Sequence, residues 1–503
     1  MLYLSKSGYC NFWQCPKMAW LNKYKPEVKA EDPGLQALFD KGNEVGDLAM
    51  GLFGDYVEVT AMKDGHIDIH EMVRRTQEEM AKGTSVICEA SFIYKGLYCA
   101  VDILRKDGDG WAIYEVKSSV NNNEKQEKKP IYMADIAFQK YVLEHCSVNV
   151  TSTYLVNINN KYVRGEQLDL SELFYVLNVD EEVNFEIQNV ENNLKLAEGI
   201  LSSKYEPDYD LDLRCDKPYA CQYWNYCSRH LPSPSVFDLY SLTFKKKIEC
   251  YHNGLISFED LRSSGLIKNK KQLRQIEYTL EDKGAYIEKD NIRKFLDQLS
   301  YPLYFLDFET MQPIIPIFKD TVPNQQIPFQ YSLHYVEHEG GELKHKEFLA
   351  VSGEDPRRSI AEALARDIPM NVCVTAYNKQ FECGRLKELA ELFPDLADHL
   401  LNIRENVVDF IDPFQGGYYY NRAMGNSFSI KSVLPALFPD DPELNYHNLD
   451  EVHNGTEAMT IFPAIQYMSE EEQKETRYNL LKYCELDTYA MVKVWEELVR
   501  VAK

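Results

Sequence analysis

The segment Tyr304-Phe-Leu-Asp307-Phe-Glu309-Thr310 constrains the fold more than any other stretch of the chain. Apolar residues surround two acids at i and i+2, and the period of a strand puts both on one face. Burying one carboxylate costs free energy, and two on one face repel unless a cation compensates. The segment therefore predicts a core strand over Leu303–Phe308 and a divalent-metal site at its end. Two later segments offer matching groups. Val372–Tyr377 reads as an apolar strand running into Asn378-Lys-Gln-Phe381-Glu382. Tyr483-Cys-Glu-Leu-Asp487 reads as helix, where i and i+4 share a face, so Tyr483 and Asp487 reach the same point. Asp409 is a second candidate acid or a capping residue. Lys431 is either a phosphate contact or a solvated lysine at a helix start.

A second set of acids lies earlier. Three strands are predicted over Ser85–Tyr94, Leu97–Arg105 and Trp111–Lys117, separated by Lys95-Gly96 and by Asp107-Gly108-Asp109-Gly110. The second strand carries Asp102. The third carries Glu115 and Lys117, which period two places on one face. One acid from each of two adjacent strands can hold a divalent ion, and a lysine beside them can orient water or offset developing charge. An amphipathic helix over Asp135–Glu144, carrying Gln139, and a strand over Ser152–Asn157 follow.

The chain has 503 residues, beyond what one hydrophobic core usually serves. Pro232-Ser-Pro-Ser235 is its clearest linker. The expected division is residues 1–232, a helical linker 233–298, and a second α/β domain 299–503. Residues 1–60 read as helices, with Leu35, Leu38, Phe39, Val45, Leu48 and Leu52 at helical spacing. No apolar run approaches the length of a membrane span, and Met1–Lys17 lacks a signal peptide's apolar core. A cytoplasmic protein without a membrane partner is expected. Disulfides are then not expected among the twelve cysteines. Cys215, Cys221 and Cys227, every six residues in a turn-rich, aromatic stretch, differ from the lone core cysteines and suit convergence on a metal.

The formal charge is −24, whereas phosphate binding is driven largely by Lys and Arg. The acids include candidate metal ligands, whose charge bound ions would offset. Residues 233–298 are the one basic segment, at +2. They are the candidate for guiding a strand, or are a solvated linker. Any nucleic-acid binding is expected to be salt-sensitive and metal-dependent.

Asp102 with Glu115-Val-Lys117 and the Gln139–Tyr141 helix resembles the PD-(D/E)XK nucleases of the RecB-like group. Gln14-Cys15-Pro16-Lys17 resembles the first-cysteine segment of its iron–sulfur members, which include CRISPR-adaptation and AddB-type nucleases. That resemblance implies a [4Fe–4S] cluster on Cys15, Cys215, Cys221 and Cys227, with zinc as the alternative and Cys10 competing with Cys15. In many relatives a metal-binding His stands where this chain has Gly46, with Glu44 and Glu89 as candidate replacements. Asp307-x-Glu309, Asn378-x-x-Phe381-Glu382 and Tyr483-x-x-x-Asp487 resemble the motifs of DEDD exonucleases of the RNase H-like fold, with Glu382 where Asp is usual. The order of parts resembles a bacterial family fusing the two domains. It implies a Mg²⁺- or Mn²⁺-dependent nuclease acting on DNA, single-stranded or with free ends, with RNA as the alternative polymer. A nucleic-acid-binding or scaffolding protein with degenerate sites is the rival reading.

Overall fold

Alternating apolar positions and tight turns build a mixed α/β protein with several sheets. A computed structural model describes residues 2–31, 33–121, 129–444 and 452–503. The backbone of Pro33–Ala49 is helical. The side chains of Leu35, Leu38 and Phe39 lie outside the described residues. The chain forms two units: Met1–Leu231 with Pro313–Gln325, and Pro232–Gln312 with Gln326–Lys503. Residues 233–298 thus belong to the second unit, and thirteen residues that follow its first acid-bearing strand belong to the first.

The first unit contains β1 (Leu4–Ser5), β2 (Val57–Glu58), β3 (Met62–Lys63), β4 (His66–Ile67), β5 (Val86–Tyr94), β6 (Leu97–Asp107), β7 (Gly110–Asn121), β8 (Val150–Asn159) and β9 (Phe174–Asn178). Short strands at β1 and β2 therefore interrupt the expected helical run over residues 1–60. Two or three residues carry no readable period of their own, and long-range pairing makes them strands. The main sheet runs β2-β5-β6-β7-β8-β9. β6 forks. Its start pairs in parallel with β1, Leu4↔Leu97 and Ser5↔Tyr98. Its end pairs antiparallel with β7, from Ile103↔Tyr114 to Asp107↔Gly110.

The helix Pro130–His145 is not amphipathic as expected. Every residue from Ile131 to Gln139 is buried, because the sheet covers one side while helices Lys6–Gln14 and Asp180–Ser202 cover the other. The opposite face of the sheet buries Cys88, Ile103, Tyr114 and Val156 with Ile314 and Ile315 of the returning segment.

The second unit contains β10 (Ala285–Ile287), β11 (Leu303–Met311), β12 (Ile327–Val336), β13 (Leu343–Leu349), β14 (Cys373–Ala376), β15 (Val407–Asp409) and β16 (Tyr419–Asn421). Its sheet runs β13-β12-β11-β14-β15, with β11–β12 and β12–β13 antiparallel and β11–β14 and β14–β15 parallel. The helix Glu470–Ala502, started by a Ser469–Glu472 capping box, packs on β11 and β12. The segment 236–298 is not wholly helical. β10 pairs with β16, more than 130 residues away, a partner no local pattern reveals. Within the segment, Lys247 donates to the Phe237 carbonyl, and Lys271 and Arg274 to those of Gln415 and Gly417. Lys245, Lys246, Lys268 and Lys270 stay exposed.

Candidate functional site

In the first unit the fork in β6 creates the site. The β6–β7 ladder stops at Ile103↔Tyr114. Beyond it, the Val116 N–H donates to Oδ2 of Asp102 at 2.7 Å. A side chain thereby replaces a ladder carbonyl, and Asp102 and Glu115 face each other across the opening. β1 delivers Lys6 into that opening. Ser5 caps the following helix by accepting from the Gly8 N–H at 3.1 Å, and Lys6 is the helix's first residue. Its ammonium lies 3.2 Å from Oδ1 of Asp102 and 3.1 and 3.2 Å from the two oxygens of Glu115.

Lys117 donates to Oε1 of Glu115 at 2.6 Å and to Oδ2 of Asp135 at 2.7 Å. Gln139 donates to Oε2 of Glu115 at 2.7 Å and to Oδ1 of Asp135, one helical turn earlier, at 3.0 Å. Tyr141 instead packs on His145, ring centroids 4.1 Å apart. Burial and then the Glu115 charge push Asp102 up to about 6. Burial opposes the charge on Glu115 as well, yet Lys117 and Lys6 hold it well below the usual carboxylate range.

Lys6 and Asp135 were missed by sequence reasoning. Asp135 had a signal, since it stands at i−4 from Gln139 on one helix. Lys6 had none, because the fork that admits it depends on pairing ninety residues away. Glu89 also belongs here. It lies between the pairs Cys88↔Ile103 and Ala90↔Val101, opposite Asp102. Its φ of 57° is left-handed, a conformation costing about 1–3 kcal/mol for a residue with a Cβ and concentrated at functional sites. Burial and then Asp102 push it up to about 7. At Gly46 a Cβ would meet nothing within 4 Å, so packing does not dictate the absence of a side chain.

In the second unit, β11 presents Asp307 and Glu309 beside Ser332 and Gln330 of β12, and the register shifts immediately after Glu309. Such irregularities re-aim neighbouring side chains. Carboxylate oxygens of Asp307 and Glu309 and the Cys484 sulfur lie within 4.8 Å of one another. The helix Gln380–Leu392 supplies Glu382, and Glu470–Ala502 supplies Tyr483 and Asp487.

Burial, then Asp487 and Glu309, drives Asp307 well above the usual carboxylate range. Burial and Asp487 push Glu309 up to about 8. Burial is also the main cause for Glu382, pushed up to about 8, with Asp409 adding to it. Lys431 donates to the Tyr483 hydroxyl at 3.0 Å. Asp409 is a cap: it accepts from the N–H groups of Asn378, Lys379 and Ile411 at 2.8, 3.0 and 3.2 Å, holding the turn that aims Glu382.

The donors of this second set fit a hard divalent cation. They are oxygens from several elements and mutually repelling, Glu309, Glu382 and Asp487 are buried and Asp307 partly so, and Oε2 of Glu382 has no hydrogen-bond partner among the described residues. The first set fits one less well, because Lys6 already places a positive charge between Asp102 and Glu115.

A third constellation lies in the first unit. Cys15, Cys215, Cys221 and Cys227 line one cavity with Met18, Leu21 and Trp224. The Cys221 N–H donates to the Cys215 carbonyl at 3.0 Å and closes the turn between them. Burial, reinforced by neighbouring cysteines, pushes Cys215 up to about 12 and Cys221 up to about 11. Four soft sulfur donors lining one cavity are of the type that an iron–sulfur cluster or zinc takes, and no three of these sulfurs lie within 4.8 Å of one another, the closer spacing that a single zinc ion needs. Cys10 lies elsewhere, against the main core and beside Asp135 and Lys117.

The molecule is thus a mixed α/β protein of two units, each with a cluster of buried carboxylates. Residues 304–429, which hold Asp307, Glu309 and Glu382, match a family described as Domain of unknown function (DUF2779). The chain is similar to Uncharacterized protein MG366 of Mycoplasma genitalium, 21% identical over 442 residues covering 76% of this chain and 64% of that protein. It is also similar to Uncharacterized protein MG366 homolog of Mycoplasma pneumoniae, 24% identical over 229 residues covering 42% of this chain and 34% of that protein. The chain therefore spans less than two thirds of either relative. Among the described residues, no helix is long and apolar enough to cross a membrane.

Proposed function

We propose that this protein is a metal-dependent nuclease whose second unit is an RNase H-like, DEDD-type 3′–5′ exonuclease. The observation that carries the reading is that Asp307 and Glu309, with oxygens within 4.8 Å of each other on one strand, feel the charges of the buried Glu382 and Asp487 from two helices. A sheet with the acids on its central strand and the last helix across its face supports it. Bound Mg²⁺ or Mn²⁺ would polarise the phosphate and lower the pKa of the attacking water. The four carboxylates would hold the ions. Tyr483, its hydroxyl oriented by Lys431, positions water for attack on the terminal phosphodiester. The register shift after Glu309 and the cap from Asp409 set the local backbone from which Glu309 and Glu382 project.

The first unit is proposed as a RecB-like PD-(D/E)XK domain, with Asp102, Glu115, Lys117 and Gln139 as its site. Its four cysteines would hold a [4Fe–4S] cluster, or zinc. We infer a cytoplasmic role in DNA end processing, repair or defence against mobile DNA, on strands with free ends. Lys6 favours a second reading for this unit alone: a nucleic-acid-binding domain whose hydrolytic site is degenerate.

Purified anaerobically, the protein is to be given 5′- and 3′-labelled single- and double-stranded DNA and RNA with Mg²⁺ or Mn²⁺. Shortening from the 3′ end, abolished by Asp307→Ala and retained by Lys117→Ala, is expected. No cleavage of any substrate would sink the nuclease reading, and equal activity in both variants would sink the site assignment.

A further inference from the structure

The sheet face that carries Asp307 also holds a group of ligands with different chemistry. His334 on β12 and His345 on β13 are a directly opposed antiparallel pair, their ring centroids 4.5 Å apart. Glu485 comes from the helix Glu470–Ala502 that covers this face. It stands two residues from both Tyr483 and Asp487, which turns it away from them by more than half a helical turn. One ring nitrogen from each histidine and one carboxylate oxygen of Glu485 lie within 4.8 Å of one another.

Hydroxyl groups orient both rings. Thr488 donates to the Glu485 carbonyl at 3.1 Å, so its hydroxyl proton is committed. Toward Ser332, 2.7 Å away, and Nδ1 of His334, 2.8 Å away, the Thr488 oxygen then acts as acceptor. Ser332 spends its one proton on Thr488 and accepts from Nε2 of His345 at 2.9 Å. Each hydroxyl has a single proton to give, so the chain of bonds protonates Nδ1 of His334 and Nε2 of His345. The second nitrogen of each ring keeps its lone pair. Outer hydrogen bonds that fix tautomer and ring orientation in this way are the usual support of metal-bound histidines.

We propose that His334, His345 and Glu485 form a binding site for a divalent transition metal of the zinc class, separate from the carboxylate cluster. Two imidazoles and a carboxylate suit Zn²⁺ and leave a further coordination position open. Hard Mg²⁺ prefers an all-oxygen site such as the Asp307 cluster. Burial, and then His345, pushes His334 down to about 4, so its ring is neutral near pH 7. Lys482 donates to Oε2 of Glu485 at 2.6 Å and fixes the carboxylate at the rim. This inference is independent of the nuclease reading.

The test is Zn²⁺ binding to the full, metal-free chain, measured by competition with a chromophoric chelator. Wild type is compared with His345→Ala, Glu485→Gln and Asp307→Asn. His345→Ala and Glu485→Gln are each expected to lose one equivalent of tightly bound Zn²⁺, with affinity at that site down at least about tenfold. Asp307→Asn is expected to keep that equivalent. The cysteines contribute equally in all four proteins and cancel in the comparison. Glu485→Gln keeps side-chain shape at a partly exposed position, so the test survives even where His345→Ala fails to fold. Wild-type stoichiometry and affinity in Glu485→Gln would overturn the proposal, as would loss of the equivalent in Asp307→Asn alone.

Discussion

The ammonium of Lys6 lies 3.1 Å from Oε1 of Glu115, in the gap between that carboxylate and Asp102. A cation bridging the two acids would occupy the same space. Lys6 is one-fifth exposed and Glu115 is 1% exposed, so the pair is largely shielded from water. Removing one partner of such a pair leaves an uncompensated charge. Lys6→Met is expected to destabilise the metal-free protein by about 3 kcal/mol. Mg²⁺ or Mn²⁺ should stabilise the variant more than it stabilises wild type, restoring part of that loss. Urea unfolding of both proteins with and without metal measures this, and a variant that gains no more than wild type would mean that Asp102 and Glu115 are not a cation site at all.

The second carboxylate cluster sets a pH dependence of stability. Glu309 and Glu382 move up from an ordinary 4.5 to about 8. The folded chain therefore holds their protons more tightly than the unfolded chain does. Their contribution is fully present below about pH 4.5 and is lost as pH rises toward 8. In the metal-free protein, a Glu309→Gln, Glu382→Gln double variant should show a flatter decline across that window than wild type. Saturating Mg²⁺ should flatten the wild-type decline, since ion binding favours the ionised carboxylates. Thermal midpoints at a series of pH values give the comparison, and parallel curves would count against the cluster.

Tyr483 and Lys431 separate positioning from metal holding. Tyr483→Phe removes the hydroxyl that Lys431 contacts but no carboxylate. The expected result is a loss of roughly 10²-fold in 3′-end cleavage rate, the lower range for a positioned proton-handling group, with unchanged Mn²⁺ affinity. Lys431→Ala should lose less. Single-turnover rates beside calorimetric Mn²⁺ titration distinguish the two effects. Parallel loss of rate and affinity would place Tyr483 in a structural role instead.

The cysteine cavity has a spectroscopic signature. Anaerobically prepared protein is expected to absorb near 400 nm and to carry about four irons per chain. Cys221→Ser should lose both, and Cys10→Ser should lose neither. Zinc in place of iron in the anaerobic preparation would assign the sulfurs to the alternative metal.

Much of the second site was readable from local pattern. Period two put Asp307 and Glu309 on one face of a strand, and the helical period put Tyr483 and Asp487 on one face of a helix. Both inferences need only a few consecutive residues and the geometry of one element. The six-residue spacing of Cys215, Cys221 and Cys227 was likewise visible as a compact turn. The burial of every residue from Ile131 to Gln139 was not, because the outer face of that helix is covered by helices distant in sequence.

The sequence by itself determined which residues carry charge, sulfur and periodicity, because these are properties of composition and of neighbours along the chain. Only tertiary structure decided that Lys6 enters the fork between β6 and β7, that Glu89 adopts a left-handed turn opposite Asp102, and that Ile314 and Ile315 complete the first unit's core. It also decided that His334 and His345 become cross-strand neighbours bonded to Ser332 and Thr488. Each of these depends on strand register and chain return over tens to hundreds of residues. Register is selected by the burial of whole faces at once, so no short window of sequence contains it.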